Sequence, residues 1–246
     1  MQQPIHVCIG IQARSTSSRL PNKISRLIKG KMVIDHVIDA CKNSAAYINR
    51  YSYTNHISCS VFVLIPKNDP IKPSLLLQDG AVIEGPEDDV LARYVLMAKE
   101  NHANYVVRIT ADCPLIPPFL IFKCINAAIK NGFDYFSNVG DLGPDSIRTS
   151  IDGHDVEVMS ARALDWLDKT AKPGPEREHV TLRLRDDHVP HHIRRGVLIG
   201  HNDHSDIKLS IDTEEDFKRV EEEYERLQKK IEIGKRKFGK NAVHRF

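Results

Sequence analysis

A polar loop near the start of the chain carries residue types that bind phosphate groups. Between Gln12 and Lys23 it holds three cationic side chains, Arg14, Arg19 and Lys23, together with four consecutive hydroxyl residues. Guanidinium and ammonium groups form charge-assisted hydrogen bonds with phosphate oxygens. The loop lacks the glycines of loops that bind phosphate through backbone N–H groups, so its side chains must supply more of the contacts. We interpret it as a polyphosphate site; a solvated basic loop is the alternative.

The elements around this loop place it at one edge of a sheet. Periodicity predicts strands at residues 6–12, 58–65, 81–84 and 105–110, with helices from residue 33 and at residues 88–101 and 117–131. Strands that alternate with helices form a mostly parallel sheet covered on both faces. Ligands of such sheets bind at the carboxyl ends of the strands, where this loop follows the first strand.

The pattern of elements changes after residue 134. Strands are predicted at residues 134–138, 156–159, 194–199 and 207–211, with a helix at 161–169 and a long last helix capped by Thr213 and Asp216. A flap or dimerisation element is predicted near residues 136–153, and a loose basic tail at residues 235–246. No linker divides the chain, so residues 1–246 are expected to form a single domain.

Composition excludes several classes of protein. The 246 residues carry 35 Lys and Arg against 33 Asp and Glu, so no basic excess favours a nucleic-acid or membrane-surface partner. No apolar stretch approaches the length of a membrane span. The five cysteines are scattered, which argues against a disulfide framework or a thiolate zinc site. The first residues lack the pattern of an export signal, so we expect a cytoplasmic protein.

Several segments together resemble one known family. The loop reads A-R-x-x-S-x-R-L-P-x-K, and five further segments follow it in order: GPEDDVLARY at residues 85–94, VRITADCPL at 107–115, DVEV at 155–158, REHVT at 177–181 and IDTEED at 211–216. This set resembles the cytidylyltransferases that activate sugar acids, the CMP-Kdo and CMP-sialic acid synthetase group. It is most similar to their relatives in spore-coat polysaccharide synthesis.

The resemblance implies a fold and an activity. The fold would be the three-layer α/β/α, Rossmann-like fold of nucleotide-diphospho-sugar transferases, with a mostly parallel mixed sheet. The activity would be Mg²⁺-dependent transfer of CMP from CTP to an anionic acceptor, a sugar acid or a related carboxylate or phosphonate, with release of pyrophosphate. It would serve glycan or surface polysaccharide biosynthesis. A homodimer is expected, with no nucleic-acid or membrane partner.

The resemblance also implies which residues hold the nucleotide. The loop cations Arg14, Arg19 and Lys23 would offset the charge that shifts onto pyrophosphate during transfer, and Lys23 is expected to be the most sensitive position. The full set of nucleotide contacts would be Ala13, Arg14, Ser17, Arg19 and Lys23, with Arg108 and Thr110 as further candidates.

Two aspartates match the family's metal ligands. Asp112 follows the strand predicted at residues 105–110, and Asp212 follows the strand predicted at 207–211. Mg²⁺ prefers one or two carboxylates together with phosphate oxygens and water, so the residue types suit the ion. The alternative for each is a helix-capping or turn residue, and Asp212 beside Thr213 fits that alternative well.

Further residues match segments that face the second substrate in the nearest relatives. Arginine and histidine suit a carboxylate or phosphonate, and carboxylates can bind or deprotonate sugar hydroxyls. The alternative is an ordinary alternating strand at residues 155–158 and a surface helix start at residues 177–179. The candidates for acceptor contacts are Asp155, Glu157, Arg177, Glu178 and His179.

The sequence departs from the family pattern at two glycine positions, which hold Thr16 and Asn22. Asparagine tolerates a left-handed backbone, whereas a β-branched threonine there is strained, so a differently shaped loop is expected. Two other functions stay open. A nucleotide-sugar glycosyltransferase usually carries an Asp-x-Asp element, but Asp112 stands alone. A nucleotide-binding protein of the same fold without turnover is the second.

Overall fold

The computed structural model describes residues 4–51, 56–76, 81–140, 142 and 148–238. Within these residues the strands are β1 (Ile5–Gln12), β2 (Leu27–Ile28), β3 (Lys31–Met32), β4 (Ile57–Pro66), β5 (Ala81–Gly85), β6 (Tyr105–Thr110), β7 (Tyr135–Ser137), β8 (Glu157–Ser160) and β9 (Arg195–Val197). The α-helices are α1 (Val33–Tyr51), α2 (Lys72–Leu76), α3 (Val90–Glu100), α4 (Pro118–Asn131), α5 (Ala161–Thr170), α6 (Pro175–Glu178) and α7 (Glu214–Phe238).

Seven strands form one mixed sheet in the order β5-β4-β1-β6-β8-β7-β9. Strand β8 runs antiparallel to both of its neighbours, and the other pairings are parallel. Helices α1 and α4 share an apolar cluster on one face of the sheet, and α3 and α5 share a second cluster on the other. The predicted three-layer α/β/α fold with a mostly parallel mixed sheet is therefore confirmed.

The centre of the sheet depends on a close approach between strand β1 and helix α3. A Cβ atom on Gly10 would lie 2.6 Å from the ring of Tyr94, so only glycine fits at this position. The Tyr94 hydroxyl donates a hydrogen bond to the Gly10 carbonyl at 3.0 Å. This contact fixes α3 against β1 two residues before the carboxyl end of the strand, where the polar loop begins.

The prediction of a strand at residues 207–211 is wrong. Its backbone pairs with loops instead of a sheet edge: Leu209 donates to the Asp152 carbonyl at 2.6 Å, and Ile211 donates to the Asp112 carbonyl at 3.0 Å. Only an isolated bridge between Asp152 and Lys208 has strand geometry. The apolar residues Leu209 and Ile211 are buried against α7, which explains the strand-like alternation. The segment therefore brings Asp212 next to Asp112.

Other boundaries also differ from prediction. Helix α3 begins at Val90, and its N-cap is Asp89, whose carboxylate accepts from the Ala92 N–H at 2.9 Å. Residues 235–238 of the predicted tail continue helix α7, and residues 239–246 lie outside the described part of the chain. Of the predicted flap, residues 141 and 143–147 also lie outside it. No helix among the described residues is long and apolar enough to cross a bilayer.

The predicted capping of α7 is confirmed. The Thr213 hydroxyl accepts from the Asp216 N–H at 3.2 Å, and the Asp216 carboxylate accepts from the Thr213 N–H at 3.0 Å. Burial disfavours the ionised Asp216 carboxyl, but Lys208, Arg219 and these backbone donors outweigh it and hold its pKa well below the usual range. The start of α7 is thus fixed immediately after Asp212.

Substitution of Gly153 by alanine is expected to lower the free energy of unfolding by about 2–4 kcal/mol. Gly153 has a φ of 102°, and an added Cβ would lie 2.5 Å from backbone atoms of Leu209 and Ser210. Gly30→Ala is the matched control, because Gly30 also has a positive φ but no atom within 4 Å of the added Cβ; its cost should be about 1 kcal/mol. Urea unfolding of both variants measures the difference, and equal costs would contradict the packing argument.

Candidate active site

A cavity of about 260 Å³ opens at the carboxyl ends of β1 and β6. It is lined by residues of the polar loop, by residues at and after the end of β6, by residues at the end of α6 and by Asp212, two residues before α7. Eleven of the predicted site residues line it: Ala13, Arg14, Ser17, Arg19, Lys23, Arg108, Thr110, Asp112, Glu178, His179 and Asp212. Three others, Asp155, Glu157 and Arg177, are not among its lining residues.

The polar loop is closed by hydrogen bonds at its base. The Ser15 backbone N–H and hydroxyl both donate to the Asp69 carboxylate, at 2.9 and 2.5 Å, and the Asn22 N–H donates to the Ser15 carbonyl at 3.3 Å. Asn22 takes the left-handed backbone that asparagine tolerates, with a φ of 54°. Thr16 is not among the described residues with positive φ, so the strain expected there is absent.

The Lys23 ammonium lies at the centre of the site. It donates to Asp112 Oδ2 at 2.7 Å, to the Ile211 carbonyl at 2.7 Å and to Asp212 Oδ1 at 3.1 Å. Burial opposes the charge of Lys23, but the two carboxylates outweigh it and raise the pKa of Lys23 above its ordinary value. Two carboxylates separated by 100 residues in sequence thus face one point in space.

Asp212 is surrounded by cations. Besides Lys23, its carboxylate accepts from Arg19 at 2.9 Å and from Lys208 at 3.3 Å. Burial disfavours the ionised Asp212 carboxyl, but Lys23 and Lys208 outweigh it and lower the pKa. Because Thr213 and Asp216 cap α7, the carboxylate of Asp212 is not the cap and faces the cavity instead.

The oxygens around Lys23 are suited to a hard divalent cation. Two carboxylates and one backbone carbonyl already converge on a positive charge, and Mg²⁺ takes oxygen ligands of these kinds. Among the described residues no group of three or more His, Cys, Asp or Glu side chains could hold a metal. A cation bound by two carboxylates keeps positions for phosphate oxygens and water, so the donor set fits the magnesium that the sequence predicts.

Glu157 lies beneath the cavity in a buried charge network. Its side chain is 1% exposed and accepts hydrogen bonds from Arg108 at 2.5 Å, Arg185 at 2.7 Å, Tyr135 at 2.7 Å and Thr181 at 2.6 Å. Burial disfavours the ionised carboxyl, but the two guanidinium groups outweigh it and lower the pKa of Glu157 to about 2. With four partners and no exposure, Glu157 holds Arg108 in place.

Arg108 connects this network to the end of β1. Its Nε donates to the Gln12 side-chain oxygen at 3.1 Å, and Arg108 and Glu157 are direct partners across the β6–β8 ladder. Arg108 itself lines the cavity. Sequence reasoning did not find the partners of this network, because only the strand register and a loop 28 residues after Glu157 bring them together. They are Gln12, which contacts Arg108, and Tyr135, Thr181 and Arg185, which contact Glu157.

The three neighbouring residues of one segment have different environments: Arg177 links elements of the fold, whereas Glu178 and His179 line the cavity. Arg177 donates to Asp89 at 2.6 Å and to Asp168 at 3.0 Å, which ties α6 to the start of α3 and to α5. Glu178 and His179 line the cavity, and Glu178 Oε1 lies 3.9 Å from Arg14 Nη2. Arg177, whose side chain is 15% exposed, therefore links elements of the fold, whereas its two neighbours line the cavity.

Arg93 is a further residue that sequence reasoning missed. It is 1% exposed, lines the cavity, and donates to the backbone carbonyls of Ala13 at 3.3 Å and Leu64 at 3.1 Å. Gly85 makes room for it, because a Cβ there would lie 2.6 Å from Arg93 Cγ. An arginine within the apolar face of α3, between Val90 and Met97, was the available signal.

Asp155 lies with Arg148, whose guanidinium donates to Asp155 Oδ1 at 2.5 Å. Burial raises the pKa of Asp155, Arg148 opposes the shift, and Glu157 and Asp152 add to it, which gives a value of about 6. Protonated and ionised Asp155 are therefore both populated near pH 6. The position is suited to a hydrogen-bonding or proton-accepting role, although Asp155 is outside the cavity lining.

Asp155→Asn is expected to change how stability depends on pH. Because the folded pKa of about 6 lies above the unfolded value, the wild-type group favours folding at low pH and loses this contribution as pH rises through about 6. The variant lacks this effect, so its stability relative to wild type should increase by about 2 kcal/mol between pH 4 and pH 8. Chemical unfolding across this range measures it. A difference that stays constant with pH would contradict the raised pKa.

The sequence assigns this chain to a known family. A family model described as cytidylyltransferase matches residues 7–237. The chain belongs to the cytidylyltransferase family. The resemblance seen in the sequence motifs is thereby confirmed over almost the whole chain.

Three relatives show how similar this chain is to other proteins. It is 30% identical to the uncharacterized protein MJ1063 of Methanocaldococcus jannaschii, over 91% of this chain and 83% of that one. It is 24% identical to the spore coat polysaccharide biosynthesis protein SpsF of Bacillus subtilis, over 91% and 88%. It is also 24% identical to the 3-deoxy-manno-octulosonate cytidylyltransferase of Rickettsia africae, over 91% and 97%.

A solved structure supports the fold of this cytidylyltransferase. The cytidylyltransferase from Leptospira borgpetersenii superposes with a TM-score of 0.74 at 24% identity, over 88% of this chain and 85% of that one. At this identity the likeness concerns the fold alone.

Proposed function

We propose that this cytidylyltransferase transfers CMP from CTP to an anionic acceptor, a sugar acid or a related carboxylate or phosphonate, and releases pyrophosphate. The observation that carries the proposal is the cavity in which Lys23 meets Asp112 and Asp212 beside Arg14 and Arg19. The cavity therefore combines cationic side chains that can bind a polyphosphate with oxygen atoms that can bind a divalent ion. The spore-coat and 3-deoxy-manno-octulosonate relatives favour an acceptor used in glycan or surface polysaccharide biosynthesis.

The residues define distinct roles in this reaction. An acceptor oxygen forms a bond to the α-phosphorus of CTP while the bond from that phosphorus to the bridging oxygen breaks. The electron pair of the broken bond leaves with pyrophosphate, and the proton of a hydroxyl acceptor passes to solvent. Arg14, Arg19 and Lys23 stabilise the negative charge that accumulates on pyrophosphate. Arg108, held by Glu157, and Thr110 line the wall next to Asp112 and are positioned to contact the nucleotide.

Asp112 and Asp212 would hold Mg²⁺ in this reaction, with the remaining ligands from phosphate and water. When bound, the ion neutralises phosphate charge and orients the triphosphate. Glu178 and His179, which also line the cavity, and Asp155 beside Arg148 are proposed to contact the acceptor.

Pyrophosphate release tests the proposal. Wild type is incubated with CTP, Mg²⁺ and a panel of eight- and nine-carbon sugar acids and small phosphonates, in parallel with Asp112→Asn and the exposed control Asp165→Asn. Release that requires one acceptor and is lost in Asp112→Asn alone supports the reaction. Sugar transfer from a ready-made nucleotide sugar would support a glycosyltransferase, and CTP binding without turnover over the whole panel would support a binding protein.

We also propose that the enzyme works as a homodimer in the cytoplasm, where its substrate CTP is made. The resemblance of the sequence motifs to the family is what supports the dimer. Sedimentation at micromolar concentration measures it, and a monomer would contradict this part of the proposal.

A further inference from the structure

The Lys23 ammonium occupies the point on which the cation-binding oxygens converge. Its three acceptors, at 2.7, 2.7 and 3.1 Å, are the two carboxylates proposed to bind Mg²⁺ and the carbonyl of Ile211 between them in the fold. The Lys23 side chain is only 13% exposed. A cation that belongs to the protein therefore already occupies this point.

The Lys23 ammonium and a divalent ion cannot occupy this binding site together. An ammonium and a divalent ion a few ångströms apart repel strongly in a partly buried site. Asp212 is further engaged by Arg19 and Lys208, so the carboxylates are already neutralised by protein charge. A divalent ion that enters the nucleotide-free site must displace Lys23 and leave its ammonium without an acceptor, which is costly for a buried charge.

A polyphosphate removes this obstacle. Lys23 is in the same loop as Arg14 and Ser17, which line the same cavity. A lysine has a flexible four-carbon stem that can turn its ammonium towards a new acceptor. Phosphate oxygens in the cavity would give the ammonium such acceptors, and would at the same time complete the oxygen ligands of the metal ion.

We propose that Lys23 fills the divalent-cation seat of the nucleotide-free protein and leaves it only when a nucleotide polyphosphate binds. The metal ion and the nucleotide then load together, and Lys23 moves from the carboxylates to the phosphates. The identity of the cation and of the nucleotide rests on the proposed function. The displacement of one cation by another rests only on the contacts of Lys23.

The test measures binding of Mn²⁺ to the nucleotide-free protein from the spectrum of the free aquo ion in electron paramagnetic resonance. Wild type is compared with Lys23→Met, with Lys23→Met/Asp112→Asn and with Lys169→Met, which removes one positive charge from an exposed pair with Asp165. Lys23→Met should bind Mn²⁺ about tenfold or more tightly than wild type, because a repelling charge has been removed. The double variant and Lys169→Met should not show this gain.

Equal or weaker Mn²⁺ binding by a folded Lys23→Met protein would overturn the inference. If that variant does not fold, Lys23→Gln takes its place, because its amide still donates a hydrogen bond to a carboxylate but carries no charge. No CTP is present in this experiment. Its failure is therefore distinguishable from failure of the proposed function, which would appear as absence of CTP binding and pyrophosphate release in wild type.

Discussion

Glu157→Gln is expected to lower the free energy of unfolding by about 3–5 kcal/mol, because it leaves buried guanidinium charge without a counter-charge. Arg108 and Arg185 both donate to this carboxylate, and the Glu157 side chain is 1% exposed. The amide has nearly the same shape, so little of the loss comes from packing. Tyr135 and Thr181 also lose a charged acceptor.

The effect of Glu157→Gln on the free energy of unfolding should depend on pH. The pKa of Glu157 is lowered to about 2, below its unfolded value, so its contribution to stability is present above pH 4.5 and is lost as pH falls towards 2. Glu157→Gln should therefore differ most from wild type at neutral pH and approach it in acid.

Urea unfolding at pH 7 and pH 3 measures this effect. Glu223→Gln is the matched control, since it breaks an arginine pair on the surface of α7 and should cost less than about 1 kcal/mol. A Glu157→Gln protein as stable as the control at neutral pH would show that the buried network does not depend on this charge.

Lys23→Met is expected to lower kcat/KM for pyrophosphate release by about 100- to 1000-fold, the usual cost of losing one donor that stabilises a developing charge. Methionine keeps most of the unbranched apolar stem, so the ammonium is what is lost. The loss should appear mainly in kcat, because Arg14 and Arg19 still bind the triphosphate in the ground state.

The same variant separates two roles of Lys23. Turnover should decrease while Mn²⁺ binding to the nucleotide-free protein increases, which a misfolded site would not produce. Lys169→Met serves again as the charge control and should leave turnover unchanged. A Lys23→Met enzyme within about threefold of wild type would contradict the role of this ammonium in charge stabilisation.

The sequence predicted the order of the elements well where periodicity is strong. Strand β1, the loop after it and helix α1 follow the expected positions, and the loop cations reach the cavity wall as anticipated. Asp112 and Asp212 face one ammonium, although the strand expected before Asp212 is absent. The apolar alternation of residues 207–211 reports burial against α7, and burial alone does not determine a sheet partner.

The part that could not be predicted depends on register and on long-range contacts. Glu157 alternates with apolar residues as a surface strand residue would, and only its position opposite Arg108 and below Arg185 shows that it is buried. The charge of Arg177 would suit an anionic acceptor substrate, but its guanidinium forms ion pairs with Asp89 and Asp168. One sequence contains no information on which of its charges meet.

The metal-assisted CTP site is best tested by calorimetric binding of the four nucleoside triphosphates, each with Mg²⁺, to wild type and to Asp112→Ala. Wild type should bind CTP selectively, and Asp112→Ala should bind it clearly more weakly. Equal binding of all four nucleotides, or binding of CTP that Asp112→Ala leaves unchanged, would contradict a metal-assisted CTP site between the polar loop and the two aspartates.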